Sequence, residues 1–454
     1  MNEKINKHLC FICERSWPLF TDKNVNGIGG VETRSVKLAE MMAIYFKKVT
    51  FAIRRGEYNI INDHGLNIVL YEPNIISNSY NYELAIINAD IYIVFESYGI
   101  TADAVRTCNI IGKTVIFWAA NNNNFNENYK LDNYEGIYLG FIIGREAAYC
   151  LYMSNYILCQ TNDQKKLLFK NHKLTSKVIY NPIKIESKTI DKKITSNNKN
   201  ILWIGRTENF KKRPDILIDI AKRLPNFNFI AILNNTDDIM YNKIINNAPN
   251  NLKIIDYIPH DKINEIFFNC TIFLSTSQKD NEGFSNVFLQ ASVNGLVIIS
   301  LEFDPDGIFT KHKCGICCEN DLNKVIIEIN NISNNEKRRN KIINNAFKYI
   351  NKYHSEDVIS KQMVNYFDKI PLNKKLKNKW WNYSYDRIII QQKEEYKNII
   401  EKSNQLSIQL NNINDEIKNI YNRNIILENE LKSIKQSKSW RITKPLRFLK
   451  HYLH

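Results

Sequence analysis

Three short segments hold residue types that could handle a phosphate or a sugar. The first is the loop Asn26-Gly27-Ile28-Gly29-Gly30-Val31-Glu32, set between an apolar run and a helical pattern. Glycine lets backbone N–H groups approach a phosphate, and a helix N-terminus adds favourable partial charge. The loop lacks the full Rossmann spacing and no Walker lysine follows, so a ligand-free strand-to-helix turn is the competing reading. The second segment is Gly205-Arg206, directly after the apolar run Ile201–Ile204, with Lys211, Lys212 and Arg213 close behind. Several cations at a strand top can neutralise a diphosphate, Arg as a fork and Lys as a point charge. A solvated basic loop is the alternative there. The third is Glu282-Gly283-Phe284-Ser285-Asn286-Val287-Phe288-Leu289-Gln290-Ala291. It opens a helix whose first N–H groups, at Phe284, Ser285 and Asn286, could hold a phosphate or a sugar hydroxyl. Glu282 is rich in acceptors and suits hydroxyls. Gln290 falls two helical turns further along the same face. An ordinary acidic cap would show the same residues.

Elements that could position these segments alternate along the first 370 residues. Leu9–Cys13, Val49–Ile53, Ile91–Phe95, Thr114–Trp118 and Tyr156–Cys159 read as buried strands, with a helix from about Thr33 to Phe46. Asn181-Pro182 is a turn signal, and the pattern then restarts. Ile201–Ile204, Asn228–Leu233, Leu252–Ile255, Thr271–Ser275 and Leu296–Ser300 are the new strands, and Pro214 opens a helix to Arg223. Alternating strand and helix predicts two doubly wound parallel sheets. The expected division is 1–182, 183–370, a linker 371–395, a coiled-coil helix 396–437 and a tail 438–454.

Beyond 370 the composition shifts. Leu406, Leu410, Ile413, Ile417, Ile420, Asn424, Leu427, Leu431 and Ile434 stand at alternating spacings of four and three. That is a coiled-coil seam, with one Asn of the kind that fixes register. It predicts self-association through 399–434; a long helix packed on its own domain is the alternative. The tail SKSWRITKPLRFLKHYLH mixes aromatic and basic residues, which suits an anionic membrane surface or a protein partner.

The 454 residues carry a formal net charge of +15, which favours anionic partners. No run of 18 apolar residues occurs, and the N-terminus lacks a signal-peptide core, so a cytoplasmic protein is expected. The nine Cys are odd in number and lie in apolar segments, as buried reduced thiols do. Cys10 and Cys13 have CxxC spacing, but no paired motif completes a zinc site.

Taken together, the motifs resemble glycosyltransferase family four, with the GT-B fold of two facing Rossmann-like domains. The matching residues are Gly29-Gly30-Val31-Glu32, Asn181-Pro182, Ile204-Gly205-Arg206, Lys212-Arg213-Pro214, Ile258-Pro259-His260 and Glu282-Gly283-Phe284-Ser285-Asn286-Val287, in that order. Asp304-Pro305-Asp306-Gly307 and the tail resemble surface-polysaccharide transferases. The resemblance implies that a sugar passes from a nucleotide-diphosphate donor to a lipid-linked or growing surface-glycan acceptor. Anomeric configuration would be retained, with no metal or other cofactor. It implies that Arg206 and Lys212 hold the diphosphate, with Lys211 able to substitute, and that Gly29 and Gly30 approach the phosphates. Glu282 would contact the transferred sugar, the N–H groups of Phe284 to Val287 the sugar and phosphate, and the backbone at Ile258 the base. Two positions depart from the family. Gln290 stands where a second Glu binds ribose, and Trp118-Ala119-Ala120 runs into Asn121 with no His.

Three rivals share some of these features. A nucleic-acid binder would need basic and aromatic residues interleaved on one face, which the segments do not supply. An inactive transferase-like scaffold and a GT-B epimerase acting on the nucleotide sugar are the others.

Overall fold

The computed structural model describes residues 3–22, 28–73, 81–96, 99–130, 137–138, 141–142, 144–185, 198–207, 211–256, 258, 263–279, 282–372 and 380–438. Its strands are β1 (Ile5–Ile12), β2 (Phe46–Arg54), β3 (Asn67–Tyr71), β4 (Ile91–Phe95), β5 (Thr114–Trp118), β6 (Ile137–Tyr138), β7 (Phe141–Ile142), β8 (Tyr156–Cys159) and β9 (Lys177–Val178). The second series is β10 (Asn200–Arg206), β11 (Asn228–Asn234), β12 (Leu252–Ile255), β13 (Ile272–Ser275), β14 (Val297–Ser300) and β15 (Ile316–Cys317). The first sheet runs β3-β2-β1-β4-β5-β8-β9 and the second β12-β11-β10-β13-β14-β15, while β6 and β7 form a small hairpin.

Both large sheets are parallel throughout their pairs. Strands buried on both faces explain the near-continuous apolar runs. In β10, Ile201 and Trp203 join one apolar cluster while Leu202 joins another, so the sheet is packed on both sides. Leu9 of β1 pairs with Val49 and with Ile91, which puts β1 in the interior of its sheet, next to the central strand β4. In each sheet the strand order reverses beside the first strand of its series, and ligands of open α/β sheets bind at such points.

The last helix of this body, Glu356–Lys369, packs away from the domain that precedes it. Ile359, Met363 and Phe367 lie in the core of the N-terminal sheet with Phe46 and Leu9. Lys7 donates to the carbonyl of Phe367 at 3.1 Å, from the other side of that junction.

Residues 378–454 form a second unit. Its helix runs Trp380–Gln436, so the stretch expected as a linker is helical from Trp380 onward. No Gly or Pro interrupts those residues, and propensity carries the helix through the composition change. Seam residues Leu406, Leu410, Ile413, Ile417, Ile420, Leu427, Leu431 and Ile434 are all exposed on it. The tail beyond 438 lies outside the described residues. No described helix is long and apolar enough to cross a membrane.

Candidate active site

The site grows from strand ends. Arg206 is the final residue of β10 rather than the first of a loop, and Lys211, Lys212 and Arg213 return beside the end of β13. Backbone and side-chain bonds lace the two segments together. Gln278 N donates to Lys211 O at 3.0 Å. Arg213 donates from Nε to Thr276 O at 2.6 Å and from Nη2 to Glu302 Oε2 at 2.9 Å. Trp203 Nε1 donates to Thr276 Oγ1 at 2.9 Å, anchoring that loop to the strand below. Arg213 is thus consumed in holding the loop, while Lys212 reaches the site.

Lys212 pairs with the carboxylate of Glu282 and donates to Ser277 Oγ at 3.3 Å. Glu282 is only 7% exposed. Burial works against its charge most strongly, but Lys212 and Lys211, with hydrogen bonds from Lys212 and Ser277, hold the carboxyl below the usual range. The pair is therefore a preformed ionic couple in a nearly dry setting.

Arg206 extends to the opposite domain. Its Nη2 lies 2.8 Å from where a Cβ on Gly29 would stand, and the Glu32 carboxylate crowds the same spot. A side chain at residue 29 would push the ends of Arg206 and Glu32 aside. Helix Gly30–Ala43 begins three residues earlier than the sequence pattern suggested, so Gly29 is its N-cap and Gly30 its first residue. The helical pattern is masked there because glycine carries no apolar signal.

Helix Asn286–Val293 starts at Ser285, whose hydroxyl makes no capping bond. The side chain of Asn286 spans the cleft, donating to Gly30 O at 2.9 Å and accepting from Asn181 Nδ2 at 2.7 Å. Asn181 in turn accepts from Arg34 Nη1 at 3.2 Å and donates to Gln160 Oε1 at 2.9 Å. Arg34 is 4% exposed and sits 5.3 Å from the Phe95 ring centre and 5.5 Å from that of Trp118. Burial lowers its pKa to about 10, so it stays cationic near neutrality. Gly283 faces the first domain too: a Cβ there would meet Ala120 O at 3.0 Å.

Most predicted site residues converge. Gly29, Gly30, Arg206 and Asn286 meet across the cleft; Lys211, Lys212 and Glu282 stand beside them. Val287 follows Asn286 in the first helical turn, and Gln290 is one turn beyond Asn286 on the same face. Phe284 is buried with its ring 5.0 Å from His354, so its side chain packs at the domain junction. Ile258 packs against the core of the second domain. Pro259 and His260, and Asn26-Gly27 of the first loop, lie outside the described residues.

Sequence reasoning missed the polar residues that join the halves. The sequence marks Asn181 as a turn and a family motif and Asp306 as part of a resemblance, with no partner for either, and it does not single out Arg34 or Gln160. Asp306 accepts from the backbone N–H of Asn162 at 2.8 Å and of Asp163 at 2.7 Å, capping a helix of the other domain. No periodicity marks such residues, because their partners lie on other elements: 147 positions separate Arg34 from Asn181, and 144 separate Asn162 from Asp306.

The comparisons with known proteins fit this geometry. Residues 185–349, which hold the cation loop and Glu282, match the family model described as Glycosyl transferases group 1. The chain is a glycosyltransferase of GT-B architecture. HepE from Anabaena, solved with UDP and glucose, is 13% identical and superposes with a TM-score of 0.64 over 80% of this chain and 100% of its own. Sucrose-phosphate synthase from Thermosynechococcus elongatus is 10% identical, with a TM-score of 0.64 over 80% of this chain and 98% of its own. A glycosyltransferase from Rickettsia africae is 14% identical, with a TM-score of 0.60 over 80% and 98%. At such identity these likenesses speak for the fold alone. No curated relative matches at the sequence level.

Proposed function

We propose that this enzyme moves a sugar from a nucleoside-diphosphate sugar onto a surface-glycan precursor, lipid-linked or growing, with retention at the anomeric carbon. The observation that carries the reading is Arg206 crossing to Gly29 beside the Lys212–Glu282 pair. As the bond from the anomeric carbon to the diphosphate breaks, its electron pair goes to a phosphate oxygen. Arg206, Lys211 and Lys212 stabilise that charge, helped by the first N–H groups of helix Asn286–Val293. The acceptor oxygen bonds to the anomeric carbon, and its proton passes to the leaving diphosphate. Glu282 accepts from hydroxyls of the transferred sugar, and Gln290 hydrogen-bonds the ribose. A closed cleft keeps water from the donor. Charge compensation falls to these side chains, so turnover should survive a metal chelator.

Thermal-shift screening against uridine and guanosine diphosphate sugars tests the donor class, since a ligand of the folded state raises the melting point. No shift with any of them, from folded protein, would remove the reading. Bound ligand without turnover on any glycan acceptor would favour the scaffold alternative.

Two further proposals concern the second unit. The exposed seam has one Asn, at position 424, and suits a second copy of itself. From 406 to 434 it would run for about 42 Å at 1.5 Å per residue. The aromatic and basic tail would then hold the enzyme on the inner face of the cytoplasmic membrane. Light scattering of a chain ending at 395 should show a lower oligomer mass; an unchanged mass removes the seam. Pelleting with anionic but not neutral vesicles, lost in a chain ending at 437, would support the tail.

A further inference from the structure

Two carboxylates on the N-terminal side of the cleft, Glu32 and Glu96, have no role in the chemistry above, and Glu96 is the one set at a strand end. Glu96 directly follows β4, the strand beside β1 at the centre of the sheet. It sits at the strand ends where ligands bind in open α/β sheets. Its φ is 61°, a left-handed conformation that residues with side chains seldom adopt and that gathers at functional sites. The groups that act on it come from every side. Glu32 lies on helix Gly30–Ala43, Arg15 follows β1, and Arg206 and Lys211 belong to the opposite domain. Arg34 and Cys13 feel its charge as well.

We infer that Glu96 is a proton-linked part of the diphosphate site: the arriving diphosphate takes over Arg206 and Lys211, and Glu96 takes up a proton from solvent and donates it in a hydrogen bond to the diphosphate. This rests on the proposed donor class. The physical reason is crowding of like charge. Arg206 and Lys211 are the cations through which Glu96 faces the other domain, and they are also those assigned to the phosphates. A diphosphate brings two negative charges beside a carboxylate that has just lost their help. In a desolvated cleft, the carboxylate relieves that repulsion by becoming a neutral acid. Glu32 has another recourse, because it stands in the first turn of a helix, where a negative charge is favoured.

The empty site is already poised for this step. Burial, with the charge of Glu32 adding to it, raises the Glu96 carboxyl to about 7, while Arg15, Lys211 and Arg206 pull the other way. Removing part of that pull raises it further, so uptake is expected at and above neutral pH. No other bond is made or broken, and the proton returns to solvent when the diphosphate leaves.

Calorimetric titration of the full chain with UDP-glucose and with GDP-mannose tests the step, because both phosphates of each ligand ionise far below neutrality. At pH 7, binding should take up about half a proton, seen as a difference in heat between phosphate and Tris buffers. Affinity should fall roughly fivefold from pH 7 to pH 8. Glu96→Gln should bind without buffer dependence and with a flat pH profile, while Glu96→Asp should keep the uptake. Wild-type heats that do not depend on the buffer would overturn the inference by themselves, whatever the variants do. So would uptake that persists in Glu96→Gln. Failure of both ligands to bind the wild type would instead bring down the proposed donor class, and this inference with it.

Discussion

The two domains share a fold but meet the cleft in different ways. The second domain offers long charged side chains, Arg206, Lys211 and Lys212, around the buried carboxylate of Glu282. The first offers bare backbone at Gly29 and Gly30 and a buried polar web running from Arg34 through Asn181. Charge that must follow a leaving group sits on one side, and shape that fixes how closely the halves approach sits on the other. Arg206 belongs to the first kind but ends against the second. It therefore ties the electrostatics to the degree of closure.

The comparison breaks first at its charged side. Arg206→Ala should lower turnover by about 100- to 1000-fold, near 2.7–4 kcal/mol of barrier, with little change in melting point. Lys212→Ala should match it in turnover but also destabilise, because Glu282 is left buried without its partner; removing one member of a buried pair costs about 3–5 kcal/mol. Initial rates beside denaturation curves separate the two. Wild-type rates in both variants would empty the phosphate site of its meaning. A stable Lys212→Ala would show that Glu282 draws on other support.

On the shape side, Gly29→Ala should be smaller in effect and different in kind. The added methyl would stand 2.8 Å from Arg206 Nη2, so the guanidinium must move while the helix stays formed. Donor affinity should fall with the fold intact. Asn286→Ala removes one bond to Gly30 and one to Asn181, and leaves polar partners unsatisfied. About 1–3 kcal/mol of stability should go, read by denaturant titration. Equal loss of turnover and no loss of stability would mean that Asn286 serves the ligand and not the junction.

How much of this was legible in the sequence divides the same way. Strands β4, β5, β8 and β12 and helix Pro214–Arg223 have the expected bounds, since each is a dense apolar run or an amphipathic stretch opened by Pro. The charged residues of the second domain stand out because Arg206 and Lys212 follow a buried strand. Helix Gly30–Ala43 starts ahead of the pattern that shows from Thr33, because glycine at its cap and first position hides the period. The polar junction was invisible for a different reason. Arg34 reads as one charge on an amphipathic helix, and nothing local says it is buried between Phe95 and Trp118. Glu96 likewise looks like the polar residue that ends any strand.

The smallest effect tests the junction by pH alone. His354 is fully buried, its Nδ1 bonded to Asn181 O at 2.8 Å. Burial lowers its pKa from 6.5 to about 4, with the Asn181 carbonyl pulling weakly upward. The folded state therefore keeps this ring neutral where the unfolded chain would protonate it. Its contribution to stability is intact above pH 6.5 and is lost as pH falls from there toward 4. By pH 5.5 the loss should be about 1 kcal/mol. His8, in the first sheet, is also lowered to about 4 and should contribute a similar slope. His354→Gln should remove only its own share of the pH dependence, leaving a shallower curve, while its effect at neutral pH reflects the Asn181 bond and the ring packing against Phe284, Tyr180 and Tyr349. A curve whose steepness is unchanged would mean that the junction opens before its histidine titrates, so that the two halves part while each remains folded.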